Sequence, residues 1–293
     1  MIKVGIVGPS FEWHMFHFTC IMNGYEYDLA IQEGKGVPRL HLGEMRVTRI
    51  FDPNIENAKR LAKICQIDNV CTELDDVAEG VDAVLIVDDT TYQHQKRAPR
   101  FIKRGIPVFI DKPLSTEMDE ALEILSLVEK HNSYFMSCSA LRYAREAEEF
   151  KKELERSGDQ IVTAHSFAPF ELVTYGIHAW EFLYPFFGPG VKSVCNLGKE
   201  RSDIVVVKFK DGRNCCFQVA EAAYRLGGTF YCEKEAHVVP VSDSDYFYWN
   251  MLRHFAVGLD KNELPIPLEE TRELIRTLIL ARQSREEGRE IEL

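Results

Sequence analysis

A lysine near the middle of the chain is the residue whose surroundings most directly suggest chemistry. The segment "PVFI" (107–110) has the continuous apolar character of a strand buried on both faces, and Asp111, Lys112 and Pro113 follow it directly. Ligands of open α/β sheets bind at the carboxyl ends of strands, so Lys112 is predicted to point into a binding crevice. An ammonium group there can exchange a proton with a substrate or polarise a carbonyl group.

The first turn of the chain, within "KVGIVGPSFEW", begins like a dinucleotide-binding loop and then departs from it. Where the motif G-x-G-x-x-G has its three glycines, this chain has Gly8, Ser10 and Trp13. Ser10 is small and its hydroxyl could donate to a phosphate, whereas Trp13 cannot replace a glycine that packs helix on strand. We therefore expect the helix to begin differently or to lie further from the strand. Dinucleotide binding by Gly8, Pro9, Ser10 and Phe11 is predicted to be weakened but not abolished.

Asp52 ends the second predicted strand, "RVTRIFD", and has two possible roles. Its position is that of the acid that binds the ribose hydroxyls, which favours NAD over NADP. The "DPN" that it opens is also an ordinary helix entry, in which Asp52 would be the N-cap residue. The sequence leaves both roles open.

His14 and His17 are spaced as residues on one helical face and could suggest a metal pair. No nearby cysteine or carboxylate completes a ligand set in the sequence, and paired histidines on a helix usually pack and form hydrogen bonds. No metal site is expected.

Strand-like and helix-like segments alternate over roughly the first 140 residues, which predicts a parallel, doubly wound sheet of the Rossmann type. Roughly forty residues separate the first two predicted strands, more than one helix needs, and we expect the second half of this connection, residues 24–46, to be an inserted loop. The predicted strands are 3–7, 46–51, 82–87, 107–110 and 133–139, and the helices are 54–65, 95–105 and 115–131.

After about residue 140 the pattern changes to several strands linked by turns such as "KDGRN" (210–214), between helices. This pattern predicts an α+β domain with a large, open and mostly antiparallel sheet. We therefore expect a dinucleotide-binding domain over 1–139 and a substrate-binding and oligomerisation domain over 140–293. The predicted strands are 161–168, 191–197, 203–209, 214–224, 228–235, 237–241 and 290–293, and the helices are 144–158, 246–260 and 268–288.

Composition limits the class of protein. The chain has 35 basic and 46 acidic residues, a net charge of −11, which argues against nucleic acid or an anionic membrane as the main partner. No apolar run approaches the roughly 18 residues of a membrane span. The eight cysteines are scattered without a C-x-x-C pair, which indicates reduced thiols in a cytoplasmic protein.

Five segments in the same order resemble the glucose–fructose oxidoreductase, inositol dehydrogenase and MocA family (Gfo/Idh/MocA). "GIPVFIDKPLSTEMDEALEIL" is similar to its E-K-P motif, with Asp111 in place of the usual Glu. "VDAVLIVDDTTYQH" resembles its strand and loop that end in a histidine, here His94, and "SALRYAREAEEF" its arginine-bearing entry to the second domain. "TYGIHAWEFLYPFFG" is similar to its G-x-H helix and "LILARQSREEGREIEL" to its closing helix and strand. The resemblance spans essentially the whole chain.

The resemblance implies a nicotinamide cofactor and the oxidation or reduction of a sugar, polyol or related alcohol. It assigns the proton transfer that accompanies hydride transfer to Lys112 and His178, across a crevice from one another. The cofactor residues it implies are Gly8, Pro9, Ser10, Phe11, Asp52, Asp88, His94, Asp111 and Lys112, and the substrate residues are Arg142, Tyr175, His178 and Glu181. His94 could instead be a partly buried polar residue, and Arg142 could pair with the acidic helix beside it.

The catalytic helix of the family has an Asp four residues before the histidine, and this chain has Thr174 there. A hydroxyl can form a hydrogen bond with an imidazole but supplies no charge to stabilise its protonated form. Glu181 lies three residues after His178 on the same helical face and could compensate, or it could be a solvated surface residue.

The predicted function is that of an NAD-dependent oxidoreductase acting on a small carbohydrate-like substrate. A non-catalytic relative that senses a ligand or binds a partner is the alternative suggested by Trp13 and Thr174. Lyase or hydrolase chemistry with a permanently bound NAD is a third possibility. The apolar strands of the second domain predict a homo-oligomer formed through its sheet.

Overall fold

The computed structural model describes residues 1–221 and 224–293. Five of the six strands in its first part overlap predicted strands, and the short strand Asn69–Val70 was not predicted. Six strands pair in the order β3-β2-β1-β4-β5-β6, and each pair is parallel. This is the order of a Rossmann sheet, in which the carboxyl ends of β1 and β4 flank the ligand crevice. The strands are β1 (Ile2–Val7), β2 (Met45–Phe51), β3 (Asn69–Val70), β4 (Ala83–Ile86), β5 (Val108–Ile110) and β6 (Phe135–Met136).

The helices of this part follow from apolar spacing and from caps. In α3, for example, the side chain of Asn54 accepts hydrogen bonds from the amides of Glu56 and Asn57, and the buried residues form one face. Residues 24–46 contain a short helix and a 3₁₀ turn, where only a loop was expected. The helices are α1 (Trp13–Asn23), α2 (Tyr27–Ala30), α3 (Ile55–Cys65), α4 (His94–Ile102) and α5 (Met118–His131).

A seven-stranded mixed sheet in the order β12-β11-β7-β10-β9-β8-β13 forms the second part of the chain. Among the described residues, β7 and β10 pair in parallel and the other neighbouring strands pair antiparallel, so the prediction of a mostly antiparallel sheet is confirmed. Residues 222 and 223, at the end of the strand predicted over 214–224, lie outside the described residues. The strands are β7 (Ile161–Pro169), β8 (Val191–Asn196), β9 (Ser202–Phe209), β10 (Asn214–Ala220), β11 (Leu226–Cys232), β12 (Ala236–Val241) and β13 (Ile291–Glu292).

The helices of this part are α6 (Arg145–Ser157), α7 (Gly176–Phe187), α8 (Ser244–Lys261) and α9 (Leu268–Glu287). α7 packs against β7, β10 and β11, and α9 packs against β8. Buried and more exposed residues alternate along β9, as expected of a strand with one face covered by helices. None of the described helices is both long and apolar enough to cross a membrane.

The chain forms two compact units, and the first of them includes a segment from near the C-terminal end of the chain. Tyr134 donates a hydrogen bond to the carbonyl oxygen of Phe255 at 2.7 Å, and the Phe255 ring packs on those of Phe109 and Tyr134. The predicted division after residue 139 does not anticipate this return. The first unit comprises Met1–Ser115, Asp119–Ser137 and Tyr248–Pro267, and the second comprises Thr116–Met118, Cys138–Phe247 and Leu268–Leu293.

All eight cysteines are free thiols. The sulfur atoms of Cys20 and Cys65 lie 3.7 Å apart in the core of the first unit. Burial raises the pKa of the Cys215 thiol above its usual range, and that of Cys71 in the same way.

Candidate functional site

Five polar residues follow the carboxyl ends of strands in the first unit and are almost completely buried. Asp52 follows β2, Asp88 follows β4, and Asp111 and Lys112 follow β5, with exposures of 4%, 0%, 1% and 2%. Ser10, in the loop after β1, is 0% exposed. Carboxyl ends of parallel strands share one edge of a sheet, so these residues belong to the ligand-binding edge of a Rossmann fold.

Asp52 organises the loop that follows β1. One of its carboxylate oxygens accepts a hydrogen bond from the amide of Ser10 at 2.6 Å, and the other accepts from the amide of Asn54 at 2.7 Å. The N-cap residue of α3 is Asn54, so the interpretation of Asp52 as that cap is wrong. The structure thus ties two predicted cofactor residues, Asp52 and Ser10, directly to each other.

The start of α1 resolves the question that Trp13 raised. The helix begins at Trp13 itself, whose side chain is 44% exposed and stacks on His17 with ring centroids 4.0 Å apart. The indole therefore points away from the strand. A Cβ atom on Gly8 would lie 1.7 Å from the carbonyl oxygen of Val87, so only glycine fits at that position.

The other two loop residues have local contacts. The carbonyl oxygen of Pro9 accepts a hydrogen bond from the amide of Glu12 at 3.1 Å. The half-buried ring of Phe11 lies under the guanidinium of Arg60, 3.9 Å from the ring centroid.

Glu12 is a loop residue whose importance the sequence reasoning missed. Burial, followed by its hydrogen bond to Asp89 and the negative charges of Asp89 and Asp88, raises its pKa from 4.5 to about 8. The sequence could have indicated this residue by its position, because it lies between Gly8 and α1, where a phosphate would bind and a carboxylate is unexpected. At neutral pH most of this side chain is protonated.

His14 has carboxylate neighbours that the sequence did not reveal. Its Nδ1 lies 2.6 Å from an oxygen of Asp111 and 3.6 Å from one of Asp89, and the three ligand atoms lie within 4.8 Å of one another. The premise that no carboxylate lies near His14 is therefore wrong. His17 does not join the group, because its Nδ1 bonds the carbonyl oxygen of Trp13.

A second group of this kind lies in the second unit, where Asp159, Cys232 and His237 also have ligand atoms within 4.8 Å. The carboxylate of Asp159 already accepts the amides of Gln160 and Lys234.

Asp111 and Lys112 are held by the strand end. An oxygen of Asp111 accepts the amide of Lys112 at 2.8 Å, and the Lys112–Pro113 bond is cis. Burial by itself would raise the pKa of Asp111, but the hydrogen-bonded His14 ring and the charge of Lys112 lower it below its usual value. Asp111 is therefore an ionised carboxylate between two basic groups.

His94 and Asp88 are buried in the same unit. The Nδ1 of His94 lies 3.1 Å from the carbonyl oxygen of Leu114, and its Nε2 is a buried atom without a hydrogen-bond partner among the described residues. Burial lowers the pKa of His94, so its ring is neutral. Asp88 accepts hydrogen bonds from Arg97 and Thr91, both at 2.6 Å, which lower its pKa in spite of burial.

In the second unit, Ser139 is the hydrogen-bond partner of His178. The Ser139 Oγ lies 2.7 Å from Nδ1 of His178 and also accepts the amide of Leu141 at 3.2 Å. Thr174 precedes α7 and bonds the carboxylate of Glu171 at 2.7 Å, not the imidazole. Ser139 was missed because it is 39 residues from His178, in a turn with no distinctive spacing.

Glu181 is buried, so the interpretation as a solvated residue is wrong. Its carboxylate accepts hydrogen bonds from Nε of Arg142 at 2.7 Å and from the amide of Ser139 at 3.4 Å. Ser139 in turn contacts His178, so Glu181 is linked to the imidazole through Ser139. Burial raises the pKa of Glu181, and the facing guanidinium counteracts part of that shift. Arg142 also donates to Glu270 at 3.2 Å, and its Nη2 is a buried donor without a partner among residues 1–221 and 224–293.

Tyr175 immediately precedes α7. Its half-buried ring meets that of His178 edge to face, with centroids 5.4 Å apart. The predicted substrate residues Arg142, Tyr175, His178 and Glu181 are thus linked through contacts within the second unit, while every predicted cofactor residue lies in the first.

The first unit fits a dinucleotide. No described side chain caps the N-terminus of α1, which leaves the amides of its first turn for an anionic acceptor. The Ser10 hydroxyl in the adjoining loop is a buried polar atom without a partner in the described part of the chain. Because Asp52 occupies the Ser10 amide, a phosphate would be bound by the helix amides and not by that amide.

The order of the parallel sheet, the glycine turn after β1 and the mixed-sheet second unit define a Rossmann-type, two-domain dehydrogenase fold. The model of the Gfo/Idh/MocA family, described as an oxidoreductase family with an NAD-binding Rossmann fold, matches residues 2–138. The resemblance found in the sequence is therefore confirmed over this part of the chain. Comparison with curated proteins finds no match.

Solved structures share the fold of the whole chain at low identity. The myo-inositol dehydrogenase of Corynebacterium glutamicum superposes with a TM-score of 0.81 at 14% identity, covering 100% of this chain and 99% of that one. The myo-inositol dehydrogenase of Lactobacillus casei, in complex with NAD(H) and myo-inositol, gives 0.80 at 14% identity, with 100% and 97% covered. The apo scyllo-inositol dehydrogenase of the same organism gives 0.77 at 14% identity, with 100% and 98% covered.

Proposed function

We propose that this protein is an NAD-dependent oxidoreductase that interconverts an alcohol and a ketone on a sugar, polyol or related small molecule. The observation that carries the proposal is Lys112, a lysine only 2% exposed directly after β5 at the ligand-binding edge of a Rossmann sheet. Such a position is costly for a charged side chain and is typical of a functional group.

The dinucleotide, when bound, would accept or supply the hydride. The amides at the start of α1 and the Ser10 hydroxyl would hold its phosphates, and Asp52, which fixes the Ser10 loop, lies where the ribose is expected. Lys112 would exchange a proton with the substrate oxygen, and Asp111 would keep the ammonium group oriented. His178 would bind the same oxygen, while Arg142 and Tyr175 would bind other polar groups of the substrate.

NAD is preferred over NADP in this proposal because a 2′-phosphate would be repelled by the Asp52 carboxylate. We further propose a cytoplasmic homo-oligomer that associates through the sheet of the second unit. Ile204, on β9, is 39% exposed and lies on a sheet face that a second copy could cover. Light scattering of the purified chain tests the assembly.

Titration with NADH, followed by the fluorescence of the reduced nicotinamide, tests the cofactor assignment. Saturable binding is expected, with weaker binding of NADPH, and its absence at millimolar cofactor would remove the proposal. A panel of polyols and sugars with NAD then tests the reaction. Lys112→Met should abolish turnover, whereas the matched variant Lys130→Met, on the exposed side of α5, should not.

A non-catalytic relative that senses a ligand or binds a partner is the second candidate. The observation in its favour is that the Ser10 amide already donates its hydrogen bond to Asp52 and that Glu12 lies in the same loop. The loop therefore offers a phosphate fewer free N–H donors, and one more acidic side chain, than a G-x-G-x-x-G loop does. In that case a stably folded Lys112→Ala variant would keep its cellular role intact.

A further inference from the structure

The hydroxyl group of Ser139 has a fully determined set of partners. Ser139 is 0% exposed and precedes the 3₁₀ turn Ala140–Tyr143. Its Oγ lies 2.7 Å from Nδ1 of His178 and 3.2 Å from the amide nitrogen of Leu141. The amide can only donate, so it uses one of the two lone pairs of the hydroxyl oxygen.

The remaining contact can be made in two ways, and only one of them gives the Ser139 hydroxyl proton an acceptor. If Nδ1 of His178 carried a proton, it would donate to the second lone pair, and the Ser139 hydroxyl proton would have no acceptor within residues 1–221 and 224–293. A buried donor without an acceptor is strongly disfavoured. If Nδ1 is unprotonated, the hydroxyl donates to it, and both the oxygen and the imidazole nitrogen are paired.

We propose that Ser139 is a positioning residue that holds neutral His178 in the tautomer with its proton on Nε2. This inference rests on the proposed function, and it means that His178 donates a hydrogen bond to the substrate oxygen and keeps its own proton. A carboxylate at the same place would accept from Nδ1–H and leave Nε2 as a base. With a hydroxyl in place of a carboxylate at Nδ1, the Nε2 atom of the ring therefore changes from a proton acceptor to a hydrogen-bond donor.

The proton balance of the reaction then involves Lys112 alone. When a ketone is reduced by a hydride from the reduced nicotinamide, the carbonyl carbon gains that hydride and the π electrons move to the oxygen. The oxygen takes a proton from the Lys112 ammonium, which becomes an amine, and the alcohol is formed. His178 stabilises the developing negative charge on the oxygen through Nε2–H, without a net transfer.

The tautomer can be read directly by nitrogen NMR of the full chain labelled with ¹⁵N in its histidines, with His178→Asn used to assign the signals. A pyrrole-type Nε2 and a pyridine-type Nδ1 are expected for His178 at a pH where the ring is neutral. Ser139→Thr, which keeps the hydroxyl, should leave this pattern unchanged. Ser139→Asp keeps an acceptor for the Leu141 amide but has no hydroxyl proton when ionised, and should move the ring proton to Nδ1.

A pyrrole-type Nδ1 in the unaltered chain would overturn the proposal, and this measurement needs neither Ser139 variant to fold. In steady-state kinetics, kcat/KM for ketone reduction should stay level as His178 becomes protonated, because the Lys112 ammonium supplies the proton over that range. A tenfold change per pH unit that follows the NMR titration of His178 would identify it as the acid and would equally overturn the donor role. Failure to bind NADH would remove the proposed function but leave the tautomer result standing, so the two failures are distinguishable.

Discussion

His94 in the first unit and His178 in the second are both buried and both held by a hydrogen bond at Nδ1, and the two bonds have opposite polarity. The Nδ1 of His94 faces a carbonyl oxygen, that of Leu114, which can only accept, so this nitrogen bears the proton and Nε2 is a lone pair. The Nδ1 of His178 faces the hydroxyl of Ser139, whose proton has no other acceptor in the described residues. A histidine at a motif position therefore does not reveal where its proton is, and the partner of its other nitrogen does.

The difference extends to the surroundings of the two rings. The ligand edge of the first unit collects the carboxylates of Glu12, Asp88 and Asp111, and burial together with the nearby acidic groups raises the pKa of Glu12 to about 8. The second unit surrounds His178 with a hydroxyl and an ion pair between Glu181 and Arg142. We expect pH to act mainly on the first unit, and substitutions that remove a partner to act most strongly on the second.

The largest effect is expected from Lys112→Met, because a histidine that only donates cannot replace the lysine as a proton exchanger. General acid–base groups contribute roughly 10²–10⁴-fold, so kcat should fall by about that factor while the Kd of NADH stays within a few-fold. Stopped-flow turnover and fluorescence titration measure the two quantities. A loss of less than tenfold would mean that another group, such as His178, exchanges the proton. The opposite polarity inferred for the hydrogen bonds of His94 and His178 would then be wrong.

The next largest effect is expected from Glu181→Ala, which would leave Arg142 buried beside Glu270 without its main partner. Breaking one side of a buried ion pair typically costs about 3–5 kcal/mol of the free energy of unfolding. Urea unfolding followed by circular dichroism measures this, with Glu155→Ala on the exposed face of α6 as the matched control. Equal stability of the two variants would show that the pair contributes no more than a surface contact.

A smaller and pH-dependent effect is expected from Glu12→Gln. The ionised carboxylate of Glu12 should repel a dinucleotide phosphate, so binding should weaken as pH rises through about 8, by at most about tenfold per pH unit above it. The pKa of Glu12 in the folded chain exceeds the ordinary 4.5, so the folded chain binds more protons than the unfolded one over this window. The contribution of Glu12 to stability is therefore present at low pH and is lost as pH rises towards about 8.

The glutamine variant should show neither change, and NADH titrations and urea unfolding at pH 6 to 9 provide the comparison. A pH dependence of binding that is identical in the variant would assign it to a group other than Glu12.

The smallest effect is expected from Trp13→Ala. The indole is 44% exposed and contacts the His17 ring outside the strand, so its loss should cost less than about 1 kcal/mol and should leave NADH affinity unchanged. A clear change in NADH affinity would show that Trp13 belongs to the binding loop. Removing a side chain would then affect the first unit about as strongly as the second.

The elements could be predicted because their signals are local. The continuous apolar run of β4 and the alternation along β9 follow from which faces are buried, and the order of elements then fixes the sheet topology. The return of Tyr248–Pro267 to the first unit has no local signal, since an amphipathic helix does not reveal which core it covers.

The partners of the candidate residues could not be predicted, because hydrogen bonds between distant residues depend on the tertiary fold. Asp111 and His14 are 97 residues apart, and Ser139 and His178 are 39 apart. Thr174 illustrates the converse: its spacing from His178 suggested a contact, yet α7 begins only at Gly176 and the hydroxyl bonds Glu171. Residue types at motif positions therefore did not reveal the partners or the polarity of their hydrogen bonds.

The segment Tyr248–Pro267 makes the nucleotide-type half of this protein discontinuous in sequence, and this limits how the molecule can be divided. A polypeptide that stops at residue 139 would lack Phe255, so the rings of Phe109 and Tyr134 would face water and the fragment would tend to aggregate. A chimera that exchanges the C-terminal halves of two relatives would meet the same difficulty, unless the returning helix were kept with the half whose core it completes.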